Sequence, residues 1–173
     1  MRKLFLLLLL AGLQTVVAQS VSHERMQQIY EEAKTPYKYG LVVAPSDNYH
    51  KIDCPTVFRE NDKWYMTYLV YNGKEGLDGR GYETWLAGSN DLLHWETLGR
   101  ILSYKDEGWD CNQRGGYPSL IDWNWGGTYQ MASYKGKHWM TYIGGDGTGY
   151  EAVRAPLNIG LAWTSDAVTR PHE

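Results

Sequence analysis

The run Trp109-Asp110-Cys111-Asn112-Gln113-Arg114 carries three side chains that can grip a polyhydroxylated ligand. The indole can stack on an apolar ring face, the carboxylate can accept from hydroxyls, and the guanidinium can donate to hydroxyls or to a uronate. Loop packing and solvation use the same residues equally well. The chain has 8 Trp and 14 Tyr against 2 Phe, so nearly every aromatic ring pairs a flat apolar face with a polar handle. Such rings suit stacking against sugars, and they also fill β-strands. Three carboxylates stand apart from the rest. Glu83 and Glu151 each follow a Gly-Tyr pair, where pairing with an arginine such as Arg80 or Arg154 accounts for both, and entry into a binding funnel is the alternative. Asp53 opens a predicted strand, a place where a carboxylate often caps a turn. His50 lies three residues before it.

The elements that position these residues repeat. One copy runs Pro55-Thr56-Val57-Phe58, then Trp64-Tyr65-Met66-Thr67-Tyr68, Gly81-Tyr82-Glu83, Leu86-Ala87 and Ser89-Asn90-Asp91. The second answers in the same order with Pro118-Ser119-Leu120-Ile121, His138-Trp139-Met140-Thr141-Tyr142, Gly149-Tyr150-Glu151, Leu161-Ala162 and Thr164-Ser165-Asp166. Alternating runs broken by Gly, Asn and Asp indicate an all-β protein. The first copy predicts strands over 54–59, 63–71, 82–89 and 94–102, with tight turns at Glu60-Asn61-Asp62 and Asn90-Asp91-Leu92. A sheet repeated at this spacing cannot bury both faces alone, so copies must stack or close radially, and a β-propeller accounts for the repeat better than a sandwich does. Blade one covers about 49–104 and blade two about 114–173. The second copy still lacks a fourth strand at Glu173, which predicts a fragment of a longer propeller within 37–173.

Ahead of the repeat, Met1-Arg2-Lys3 and an apolar run from Leu4 to Leu13 lead to Val16-Val17-Ala18, the pattern of a signal peptide over 1–18. The run falls short of the roughly 20 residues of a membrane span. A periplasmic or secreted chain without a membrane span is expected. Losing Arg2 and Lys3 takes 17 basic residues to 15 against 20 acidic ones, a net charge of −5. Nucleic acid is therefore not an expected partner. A leader over 19–36 contains a short helix capped by Ser22, with Met26, Ile29, Tyr30 and Ala33 at helical spacing and Pro36 ending it. Cys54 and Cys111 each precede the first strand of a copy and could pair in an oxidising compartment. No metal or other cofactor is expected, since no Asp-x-Asp calcium loop or zinc spacing is present.

Ile52-Asp53-Cys54-Pro55-Thr56-Val57-Phe58, followed by Lys63-Trp64-Tyr65-Met66, resembles the opening blade of glycoside hydrolase family 43 and related five-bladed propellers. Leu86 through Glu96 is similar to a blade end in that superfamily, and Gly116-Tyr117-Pro118-Ser119-Leu120 to the start of its second blade. Families 32, 117 and 130 share this architecture. Here Cys54 separates the Asp from the Pro, which offsets the match by one residue. The resemblance implies a carbohydrate substrate, hydrolysis with inversion, and Asp53 as general base. It places the partner carboxylates in later blades, beyond Glu173, so the fragment itself should not hydrolyse. A non-catalytic carbohydrate-binding propeller and a family 130-like phosphorylase are the alternatives. Oligomeric state is left open.

Overall fold

A computed structural model of the chain describes residues 21–34, 39–72, 79–149 and 156–168. The residues 1–18 read as a signal peptide, together with Pro36, Glu151 and Arg154, lie outside them. Two units result, Met1–Lys38 and Tyr39–Glu173. In the first, helix α1 spans His23–Ala33, and the Ser22 hydroxyl accepts from the Arg25 amide at 3.2 Å. That is the N-cap expected from the sequence. Met26, Ile29 and Tyr30 are exposed.

The second unit contains two antiparallel meanders. Strands β1 (His50–Glu60), β2 (Lys63–Asn72), β3 (Tyr82–Ser89) and β4 (Glu96–Leu102) form one sheet in that order. Strands β5 (Gln113–Pro118), β6 (His138–Gly145) and β7 (Asn158–Thr164) form the other. The architecture is all-β with one short helix among the described residues. Asn61 and Asp62 join β1 to β2 with φ of 50° and 62°, the left-handed pair that a two-residue hairpin requires. Lys135 and Gly136 repeat the device at 54° and 69°.

Register corrects the sequence-based reading in three places. β1 starts at His50 instead of 54, because Lys51, Ile52 and Asp53 continue to pair with Tyr71, Val70 and Leu69. Asp53 therefore lies inside the strand. The next pair is Thr56 with Thr67, so β1 carries one extra residue there, and Cys54 takes φ 50° within this bulge. Since Val57 pairs with Met66 and Pro118 with Met140, the counterpart of Pro118 is Val57 and not Pro55. His94 and Trp95 belong to a turn and not to β4. Asp91 accepts from the amides of Leu93 and His94 and from the His94 ring, which draws this segment out of the ladder. The Leu86-Ala87 and Leu161-Ala162 equivalence is kept, with Ala87 opposite Met66 and Ala162 opposite Met140.

The first sheet is covered on both faces. Met66, Tyr68, Val70 and Ala87 pack with Val43, Ile52, Val57, Trp85 and Trp95 on one side. On the other, Phe58, Tyr65 and Leu86 pack with Ile121 and Met131 of the segment between β5 and β6. The two sheets also meet through backbone. The buried Thr84 hydroxyl of β3 donates to the Arg114 carbonyl at 2.8 Å and accepts from the Gly116 amide at 2.7 Å. Gly116 permits this approach, since a Cβ there would meet Met140 Sδ at 2.3 Å. Replacing Thr84 by Val keeps the shape and leaves both β5 groups unpaired. A loss of about 2 kcal/mol is expected, read as a lower urea midpoint at unchanged slope.

Candidate active site

Two clusters form along β5, which runs beside the face of the first sheet that carries Asp53. At its leading end Asp110 is buried, 1% exposed, and serves as a hub. Lys105 Nζ donates to both its carboxylate oxygens at 3.0 and 3.1 Å, and the Tyr142 hydroxyl donates to Oδ2 at 2.8 Å. Arg114 Nε lies 3.3 Å from Oδ2, at ion-pair distance but without hydrogen-bond alignment. Burial alone would raise the Asp110 pKa, but the hydrogen bonds from Lys105 and Tyr142 and the charges of Arg114 and Lys105 outweigh it and hold the carboxyl below its usual range. Burial and the same carboxylate push the Tyr142 hydroxyl up.

Trp109 stacks on the Tyr142 ring at 5.8 Å and 20°, and its outer part stays open to solvent. The indole reaches Tyr142 over Gly144, where any Cβ would meet it at 2.5 Å. Arg114 donates to the Ser103 carbonyl and lies over Tyr142, its guanidinium 5.7 Å from the ring centre. The structure thus brings together Trp109, Asp110 and Arg114, as their spacing suggested, and adds Lys105 and Tyr142, which were missed. Asp110 and Arg114 are four apart and legible as a pair. Tyr142 reaches the hub from β6, a contact that no local spacing announces.

The second cluster surrounds Asp53, which is exposed in mid-strand. Its Oδ1 accepts from the Cys54 amide at 2.6 Å and from the Cys54 thiol at 3.2 Å. The Cys54 sulfur in turn shares a hydrogen bond with the Tyr117 hydroxyl of β5. The bulge makes this possible, since the extra residue turns the Cys54 amide and thiol back onto the preceding carboxylate. The Tyr117 hydrogen bond favours the Cys54 thiolate, but desolvation and Asp53 outweigh it and push the thiol up. Burial first, and then Cys54 and Asp53, push the Tyr117 hydroxyl up as well. Oδ2 of Asp53 has no partner among the described residues. Tyr117 is three residues beyond Arg114, about 10 Å along the strand.

The remaining candidates do not join these clusters. Before the bulge, His50 and Asp53 differ in parity along β1 and so face opposite ways, as their alternating burial shows. His50 is tied instead to Asp47, whose carboxylate accepts from the His50 and Tyr49 amides and from the ring at 2.9 Å. Those bonds lower the Asp47 pKa to about 2. Glu83 is buried on β3 and pairs with Arg100 Nη1 at 3.4 Å, a structural partner on β4 in place of the Arg80 anticipated. Arg80 instead binds Asn112 Oδ1 at 2.7 Å and the carbonyls of Lys105 and Cys111, fixing the connector that carries Trp109. Cys54 and Cys111 are free thiols. No group of three His, Cys, Asp or Glu side chains able to hold a metal occurs among the described residues.

Fold and site define an all-β chain of two successive meanders, with an exposed carboxylate on the face where they meet and an aromatic-cationic cluster next to it. No family model and no curated protein matches the chain. Two solved structures are similar to it, one named "Glycoside hydrolase" and the other a BT0996 RGII complex. Each is 72% identical with a TM-score of 0.77, over 85% of this chain and 42% of the other. The chain thus spans 42% of the length of either solved chain.

Proposed function

We propose that this chain is the leading part of an exported glycoside hydrolase built as a five-bladed β-propeller of the family 43 type, with a carbohydrate substrate. The observation that carries this reading is the 72% identity to a structure named "Glycoside hydrolase" over 85% of the chain. Asp53 acts as general base. Its Oδ1 is fixed by the Cys54 amide and thiol, which leaves Oδ2 to take the proton of an attacking water. The acid that protonates the leaving oxygen is a carboxyl about 6.5–9.5 Å away, the separation that admits a water and inverts the anomeric centre. Trp109 offers a stacking face for a sugar ring, and Arg114 and Lys105, held by Asp110, line the cluster behind it. Glu151 remains a candidate substrate contact outside the described residues. Glu83, spent on Arg100, serves the blade.

The exposed face of β7 supports the propeller. By register, Ile159 and Leu161 correspond to Thr84 and Leu86. Thr84 and Leu86 are 0% exposed beneath β5, whereas Ile159 is 75% and Leu161 60% exposed. A further sheet packing on β7 would bury them in the same way. A chimera tests the whole reading: this chain replaces the aligned 42% of the "Glycoside hydrolase" structure. It should fold and cleave a glycoside, with first-formed product of inverted configuration by proton NMR. A folded chimera that cleaves nothing contradicts the activity, and retained configuration contradicts the family 43-type mechanism.

A further inference from the structure

The segment Ile121–Tyr134, between β5 and β6, projects two indoles that nothing in the described structure covers. Trp123 is 64% exposed and Trp125 100% exposed. Large rings left in water on a floppy loop would carry little information, but this loop is built to hold its shape. The Asp122 carboxylate accepts from the Asn124 amide at 3.2 Å, the Asn124 side chain at 2.8 Å, the Thr128 amide at 2.7 Å and the Thr128 hydroxyl at 2.8 Å. The bonds from Thr128, first, and from Asn124 lower its pKa to about 2, so it keeps this grip throughout the neutral range. Gly127 closes the turn through its amide on the Asn124 carbonyl at 2.8 Å, and a Cβ there would meet Asp122 Oδ2 at 2.6 Å. The Gly126 amide donates to the Tyr129 hydroxyl at 2.9 Å.

The base of the loop is anchored as firmly. The Arg59 amide donates to the Tyr129 carbonyl at 2.8 Å, the Met131 amide donates to the Arg59 carbonyl at 3.1 Å, and the Tyr129 ring leans on Trp64 at 5.9 Å. Ordering is therefore complete before any ligand arrives, which removes a main cost of binding. Charge narrows the ligand. Asp122 is the one charged residue from Ile121 to Gln130, and the loop consumes it internally. The surface offered is two indole faces and their N–H donors among uncharged neighbours. An anionic polymer finds no cation in this loop, whereas a neutral sugar offers what such rings accept: an apolar C–H face with hydroxyls at its edge.

Position separates this feature from the reacting carboxylate. Arg59 is six residues beyond Asp53 on β1, about 20 Å along the strand. We infer that the Trp123–Trp125 loop is a second carbohydrate-binding site, taking the apolar ring faces of a neutral saccharide at the end of β1 remote from Asp53. The site shares a ligand class with the proposed function and does not depend on hydrolysis.

Affinity electrophoresis of the full chain through gels containing soluble arabinan, galactan, xyloglucan or, as an anionic control, polygalacturonate tests it. The chain and its Asp53→Asn variant should be retarded alike by at least one neutral polymer. The Trp123→Ala/Trp125→Ala variant should lose this with its near-UV fold signature otherwise kept, an affinity loss of about tenfold or more for two lost stacking faces. Trp123→Phe/Trp125→Phe should recover most of it. Retardation that survives in the double alanine variant overturns the inference, as does retardation by polygalacturonate alone. Absence of retardation in every gel, with the alanine pair only reducing self-association, would make the loop a protein contact instead. Failure of glycoside cleavage in the chimera leaves these outcomes unaffected, so the two readings fail separately.

Discussion

Asp110→Ala is expected to destabilise the chain by about 3 kcal/mol, among the largest effects of any single substitution outside the apolar core. The reason is what the carboxylate leaves behind. Arg114 is largely buried and Tyr142 is buried, so both lose a partner that water cannot replace, while the half-exposed Lys105 recovers hydration and adds little. Asp110→Asn keeps an acceptor for Tyr142 and loses the charge, so its urea midpoint should fall between those of the parent and the alanine variant. The pH dependence has a definite sign. Because the folded-state pKa of Asp110 lies below its ordinary value of 3.8, its contribution is fully present above that value and is lost as pH falls through the folded one. Acid unfolding of the parent should therefore steepen below about pH 4, and Asp110→Asn should lack that component. A midpoint in the alanine variant within experimental error of the parent would show that the hub is not holding the connector.

The same hub links stability to function. Arg80 fixes the connector from one side through Asn112 and two carbonyls, and Asp110 fixes it from the other through Lys105 and Arg114. Trp109 rides on that connector and is seated on Tyr142. Loss of Asp110 should thus loosen the stacking face as well as the fold.

Much of the fold is legible in the residues alone. β3 begins and ends where alternation and the Asn90-Asp91 turn place it, and the Asn61-Asp62 and Lys135-Gly136 turns follow from side chains that tolerate positive φ. The repeat is real as register, since Met66 and Met140 oppose Ala87 and Ala162. It misled where one residue is inserted: the bulge at Cys54 shifts the frame, so Pro55 and Pro118 look equivalent and are not. Composition cannot reveal a bulge, because only the ladder on either side defines it. His94 and Trp95 were lost from β4 for a related reason, as Asp91 competes with the strand for the backbone amides.

The candidate site was legible in part. Trp109, Asp110 and Arg114 are close in sequence and close in space. Lys105, Tyr142 and Tyr117 were not legible, because their roles depend on how the two sheets and their connector pack. Glu83 took a structural partner, as its recurrence after Gly-Tyr had suggested, but chose Arg100 across the β3–β4 ladder over the nearer Arg80.

Asp53 remains the residue on which the proposed chemistry turns. It is exposed on the face between the sheets, held at one oxygen by Cys54, and free at the other among the described residues. The direct test is Asp53→Asn in the chimera with the "Glycoside hydrolase" structure. Asn keeps the acceptor for the Cys54 amide and removes the basic oxygen, so the fold and substrate affinity should persist. Removal of a general base is expected to lower kcat by about 100-fold to 10,000-fold with KM little changed. A variant that cleaves at the parent rate would contradict the assignment of Asp53 as the base.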